Sequence, residues 1–141
     1  MWKYLWPILL VIGSNTIYHI ISKSTPKNVH PFITLTLTYT VAAIASLVFF
    51  FLSRGDSHVL TELKKTNWTS FALGVAVIGL EFGYLQVYRA GWNISVGSLV
   101  ANIGLAIMLL VVGIFLYKES VTINQLIGIA LCMLGIVFIK R

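Results

Sequence analysis

Acidic residues are scarce in this chain: four Asp and Glu stand against ten Lys and Arg, and only 10% of 141 residues are charged while 58% are hydrophobic. Soluble domains carry about 25% charged and about 45–50% apolar residues, so a water-facing globular fold is excluded. The long charge-free stretches read instead as a polytopic membrane protein. A net charge of +6 would suggest nucleic acid in a soluble chain. Here the basic residues lie between apolar runs, as loop and headgroup contacts, and nucleic acid is excluded as a partner. The single cysteine, Cys132, cannot form an internal disulfide. CxxC, HExxH, GxSxG and P-loop spacings are all missing. The sequence therefore offers no metal site, cofactor or nucleophile–base pair, and it is not read as an enzyme. Nor does the first apolar run end in a small-x-small cleavage site. It carries Asn15 and His19 and reads as a retained helix, not a signal peptide.

A membrane span needs roughly 20 apolar residues to cross about 30 Å of hydrocarbon. Five runs meet or approach that length, at about residues 4–21, 31–52, 68–88, 96–117 and 123–139. Pro31 suits a first helical turn. Thr122 with Gln125 three residues on has capping-box spacing at the start of the fifth run. Gly91 and Asn93 separate the third and fourth runs. Trp2, Trp6, Trp68, Trp92 and Tyr117 lie near run ends, as an interfacial aromatic belt places them. The one long connection, residues 53–67, is polar and holds Asp56 and Glu62. Its Val59, Leu60 and Leu63 fit one face of a short interfacial helix or, equally, a solvated loop. The expected fold is thus an all-α polytopic membrane protein with five transmembrane helices in a single domain, 1–141.

Five spans put the termini on opposite sides, so the basic residues divide into two sets. Lys3, Arg54, Lys64, Lys65 and Lys118 fall on one side; Lys23, Lys27, Arg89, Lys140 and Arg141 fall on the other. Orientation follows an excess of Lys and Arg in cytoplasmic loops, and this chain has none. Either a span boundary is misplaced or the protein has dual topology, with copies inserted both ways and paired antiparallel. An odd helix count would make such a pair an inverted repeat.

Glu81 is the acid that most needs explaining. It lies 13 residues after Trp68 and 8 before Arg89, roughly 20 Å and 12 Å from the two ends of its run. An acid at that depth costs a few kcal/mol and should face a bundle interior, a partner or water. A carboxyl there can exchange a proton for a cation, or it can simply hydrogen-bond between helices. Tyr84 and Tyr88 follow on the same face. Their rings suit an organic cation, a planar metabolite or ordinary packing. Asn15 and His19 share a face of the first helix, and His is suited to proton relay. Asn102, four residues after Ser98, is the pocket candidate of the fourth helix. The expected substrate-binding set is therefore Asn15, His19, Glu81, Tyr84, Tyr88 and Asn102, with Glu81 as proton-coupling residue. Gly79 with Gly83, and Gly128 with Cys132 and Gly135, form small-residue faces for helix or dimer packing. Thr34, Thr36, Thr38 and Thr40 alternate over both faces of the second helix and read as packing and backbone bonding.

The C-terminal half, "GSLVANIGLAIMLLVVGIFLYKESVTINQLIGIALCMLGIVFIKR", resembles the end of an EamA-type domain of the drug/metabolite transporter superfamily. The likeness rests on a small-residue-rich fourth helix, Glu119 just after it, and a fifth helix begun by Gln125 and carrying Gly128 and Gly135. The preceding "GVAVIGLEFGYLQVYRAGWNISVGS" is similar to that domain's third helix and following turn. Residues 68–141 carry the resemblance well, and the first two helices follow it by pattern. It implies a half-transporter that works by alternating access and is completed by an antiparallel homodimer, in a bacterial or archaeal cell membrane. The chain is also distantly similar to the four-helix small multidrug resistance proteins. Those place their coupling acid in the first helix, where this chain has Ser14, Asn15 and Thr16, so their antiporter chemistry does not carry over by position. Glu119 falls at a position where fold-holding is implied rather than substrate binding.

Two classes of function follow. One is secondary transport of a small metabolite or drug-like molecule, with Glu81 exchanging protons for cargo and lipid as the surrounding partner. A lipid-linked metabolite flippase is a variant of it. The other is a non-transporting membrane subunit in which Glu81 and Asn102 only join helices.

Overall fold

The computed structural model describes residues 2–53, 55 and 58–139. Arg54, Asp56, Lys140 and Arg141, which enter the charge comparison or the polar connection, lie outside the described residues. Among the described residues six helices follow one another: α1 Trp2–Ser24, α2 Pro31–Ser53, α3 Val59–Lys65, α4 Trp68–Arg89, α5 Ile94–Phe115 and α6 Ile123–Ile139. Among the described residues there is no strand. Four of the helices, α1, α2, α4 and α5, are long and apolar enough to cross a membrane, whereas α6 has 17 residues.

Helix ends follow local chemistry. Asn67 caps α4: its Oδ1 accepts from the Thr69 N–H at 3.0 Å and from the Thr69 hydroxyl. The capping box at α6 is closed in both directions. The Thr122 N–H donates to Gln125 Oε1 at 2.8 Å, and the Gln125 N–H donates to Thr122 Oγ1 at 3.4 Å. Helix α1 runs two or three residues past its expected bounds at each end, through Trp2 and Ser24. Helix α5 starts and stops two residues earlier than the apolar run suggests. Its start is set by Asn93, which is extended and accepts the Gly97 N–H at 2.8 Å. Its end is set by Lys118, whose φ of 53° turns the chain back so that the Glu119 N–H reaches the Gly113 carbonyl at 3.0 Å. Gly91, at φ 94°, makes the turn after α4.

The polar connection contains a helix rather than only a loop. In α3, Val59 is half-buried, Leu60 and Leu63 are exposed, and Lys65 pairs with Glu62 at 2.7 Å. The α2 hydroxyls bond inward to their own backbone, Thr36 to the Phe32 carbonyl at 2.8 Å, Thr38 to Thr34 at 3.0 Å and Thr40 to Thr36 at 2.8 Å. Thr34 does the same to His30 at 3.5 Å. A hydroxyl satisfied in this way can face lipid at little cost.

The chain resolves into two compact units, Met1–Lys23 with Ala90–Arg141, and Ser24–Arg89. In the first, α5 packs on α6, and the Lys23 ammonium donates to the Trp92 carbonyl at 2.5 Å. In the second, α2 packs on α4. There the Arg89 guanidinium, at the end of α4, donates to the Val29 carbonyl at 2.6 Å and the Pro26 carbonyl at 3.4 Å. Lys27 donates back to the Arg89 carbonyl at 3.3 Å. The end of α4 thereby lies against the start of α2, and the two helices run antiparallel.

Candidate functional site

The second unit holds the most chemically loaded surface of the protein. Stacked phenyl rings of Phe32 and Phe82, with centroids 5.1 Å apart and planes 2° from parallel, fix the register of α2 against α4. Leu35 and Leu85 are buried near this stack. Glu81 precedes Phe82 and is half-buried. Tyr84 and Tyr88 lie one and two turns towards the end of α4, their rings 6.3 Å apart and 21° from parallel, with Tyr88 buried to 3% exposure. The expected grouping of Glu81 with both tyrosines is therefore one continuous helix face. Among the described residues, no hydrogen-bond donor reaches the Glu81 carboxyl.

Tyr39, on α2, belongs to the same surface. Its hydroxyl is buried and, among the described residues, has no hydrogen-bond partner, and it lies within electrostatic reach of the Glu81 carboxylate. Tyr39 is absent from the expected site set, and the four threonines around it read as packing and backbone bonding. The signal was available: tyrosine favours the membrane–water interface, yet Tyr39 stands eight residues into α2, roughly 12 Å along the helix. Arg89, which in the sequence marks a charge and the end of a run, bonds the Val29 and Pro26 carbonyls.

The other predicted site residues fall in the first unit. Asn15 and His19 share a face of α1, but Asn15 is exposed whereas His19 is 7% exposed, with its ring edge-on to Tyr18 at 5.2 Å. On α5, the Ser98 hydroxyl donates to the Ile94 carbonyl at 2.7 Å, so Ser98 is satisfied by its own helix. Asn102 is exposed, and among the described residues neither it nor Asn15 makes a side-chain hydrogen bond.

The small-residue faces are open. A methyl group added at Gly79, Gly83, Gly128 or Gly135 would meet nothing within 4 Å, and Cys132 is exposed. Gly113 differs. It is buried, and a methyl there would come within 2.7 Å of Glu119 Oε2. Glu119 thus folds back over the last turns of α5, which places it as the resemblance implied, at a helix end. Among the described residues no group of three His, Cys, Asp or Glu side chains is placed to hold a metal ion.

What the α2–α4 surface can do follows from these contacts. It presents one ionisable oxygen pair and one hydroxyl, both unbonded, beside aromatic faces, and that combination can hold a cation or a proton in an otherwise apolar setting. A family model described as the EamA-like transporter family matches residues 2–141. No curated protein and no solved structure matches the chain.

Proposed function

The chain belongs to the EamA-like transporter family, and on that premise we propose that it is a secondary active transporter that exchanges protons for a small cationic or aromatic metabolite at Glu81. The family and the four long apolar helices make it an integral membrane protein with a transporter-like role. The observation that carries the finer reading is the unbonded Glu81 carboxyl between packed helices. A carboxyl that served only to tie helices would be expected to have a donor in its neighbour. One that must take up and release protons and cargo has to be left available. Given alternating access, exchange follows from competition: cargo and proton cannot both neutralise Glu81, so the pH on each side sets which one loads.

The fifth span of this reading is α6, whose 17 residues reach roughly 26 Å along a helix, at the short end of what crosses hydrocarbon. The functional unit is an antiparallel homodimer of single-domain chains in a bacterial or archaeal cell membrane. Support comes from the exposed, unbonded amides of Asn15 and Asn102 and from the open faces at Gly79 and Gly83 and at Gly128 and Gly135. Unbonded amides are costly against lipid and glycine faces admit a close helix, so both call for a covering surface. The balanced Lys and Arg count agrees with insertion in both orientations.

The test is proton flux in proteoliposomes, comparing wild type with Glu81→Gln over a panel of cationic, zwitterionic and anionic metabolites. Substrate-driven proton movement in wild type alone is the expected result. Equal flux in both would move coupling away from Glu81, first to His19. Folded protein that is silent in both would favour the non-transporting subunit.

A further inference from the structure

Glu81 on α4 and Tyr39 on α2 stand on helices that pack on each other, and only one of the two is an acid. Side chains on a helix lean towards its N-terminus. Since α2 and α4 are antiparallel, Tyr39 leans towards the Arg89 end of the unit and Glu81 leans away from it. The Phe32–Phe82 stack fixes where these two directions meet. Tyr39 lies seven residues beyond Phe32 along α2, whereas Glu81 lies one residue beyond Phe82 in the same sense, so Tyr39 starts deeper and leans back over Glu81. The Tyr39 oxygen is buried without a partner, a state that costs free energy unless a donor or acceptor is supplied in some state of the protein. Other charged or titratable groups of this unit are placed elsewhere or otherwise engaged. Arg89 and Lys27 are bonded to backbone carbonyls at the far end of α4. His30 lies against Phe32, before the first turn of α2. Tyr84 and Tyr88 stack on each other along α4.

We propose that Tyr39 is the positioning residue of the Glu81 site: among the described residues the two groups stand unbonded in this structure and meet when α2 and α4 shift along one another, the Tyr39 hydroxyl then donating a hydrogen bond to the Glu81 carboxyl and aiming its free oxygen at the cargo. This rests on the reading of Glu81 as the cargo-binding acid and adds to it a residue from the neighbouring helix. Because the donor and acceptor come from different helices, the bond also couples cargo binding to the α2–α4 packing. A shift of either helix along the other would break or make it.

The test separates this inference from the reading beneath it. With only four Asp and Glu in the chain, the infrared carboxyl band that disappears in Glu81→Gln identifies Glu81 without labelling. In Tyr39→Phe, which keeps the ring and removes only the hydroxyl, that band moves to higher wavenumber as the carbonyl loses a donor. In proteoliposomes with ethidium as a planar cationic probe, the same substitution raises KM about tenfold, the size of one charge-assisted hydrogen bond, with maximal rate unchanged. Ser in place of Tyr39 lacks the reach and does not rescue. An unmoved Glu81 band in Tyr39→Phe overturns the inference, even if Glu81→Gln abolishes transport and the proposed function stands. Conversely, a shifted band with no ethidium transport in wild type sustains the Tyr39–Glu81 bond and counts against the transport reading for this probe.

Discussion

The effect of replacing Gly113 by Ala should depend on what stands at position 119. In the native chain the three atoms nearest the added methyl all belong to Glu119: Oε2 at 2.7 Å, Cδ at 3.3 Å and Cγ at 3.9 Å. The first is closer than carbon and oxygen can approach, so the carboxyl must swing away from α5. The carboxylate is the far end of a flexible, exposed side chain and can turn aside, so that movement costs no more than about 0.5 kcal/mol. Against it stands the gain from putting Ala for Gly inside a helix, about 1 kcal/mol. Gly113→Ala alone should therefore stabilise by about 0.5 kcal/mol. Once Glu119 is also Ala the obstruction is gone, and the same substitution should stabilise by about 1 kcal/mol. The coupling between the sites is then about 0.5 kcal/mol, at the low end of what residues in contact show. Unfolding in mixed micelles with increasing dodecyl sulfate, followed by far-ultraviolet circular dichroism for all four proteins, measures it. Equal effects of Gly113→Ala in the two backgrounds would refute the folded-back position of Glu119 and, with it, the assignment of that acid to the helix end.

Arg89→Met keeps the aliphatic stem but removes the donors to Val29 and Pro26. The 2.6 Å bond is the stronger of the two, and its loss from a partly exposed site should lower stability by about 1–2 kcal/mol in the same unfolding titration. A change under about 0.3 kcal/mol would show that the guanidinium is not fastening the start of α2. Thr122→Ala opens one half of the capping box and should cost about 1 kcal/mol. The loss should appear in the same unfolding titration, while exchange at Gln125 changes little because its N–H keeps the 3.0 Å bond to the Thr122 carbonyl. An unchanged unfolding midpoint would argue against the cap.

How far a membrane sequence can be read depends on which contrast the physics supplies. In a soluble helix the apolar stripe marks the buried face, because the other face meets water. Here both faces of α1, α2, α4 and α5 are apolar, since lipid and neighbouring helix are equally so. Length and charge spacing therefore locate the helices to within two or three residues, and Thr122 with Gln125 marks where α6 begins. The periodicity carries almost nothing about which helix packs on which. The pairing of α2 with α4 rests on Arg89 reaching Val29 and on Phe32 meeting Phe82, contacts between residues 50 to 60 positions apart that no local pattern announces. Only polar side chains orient such a helix, by being costly against lipid. Glu81 was legible for that reason, and so were Asn15 and Asn102. The threonines of α2 were legible too, as backbone-bonded residues, and a hydroxyl bonded to its own backbone is no longer polar in this sense. The Tyr39 oxygen has no such option within its own turn, and among the described residues it is buried without a partner, so it stays polar in this sense.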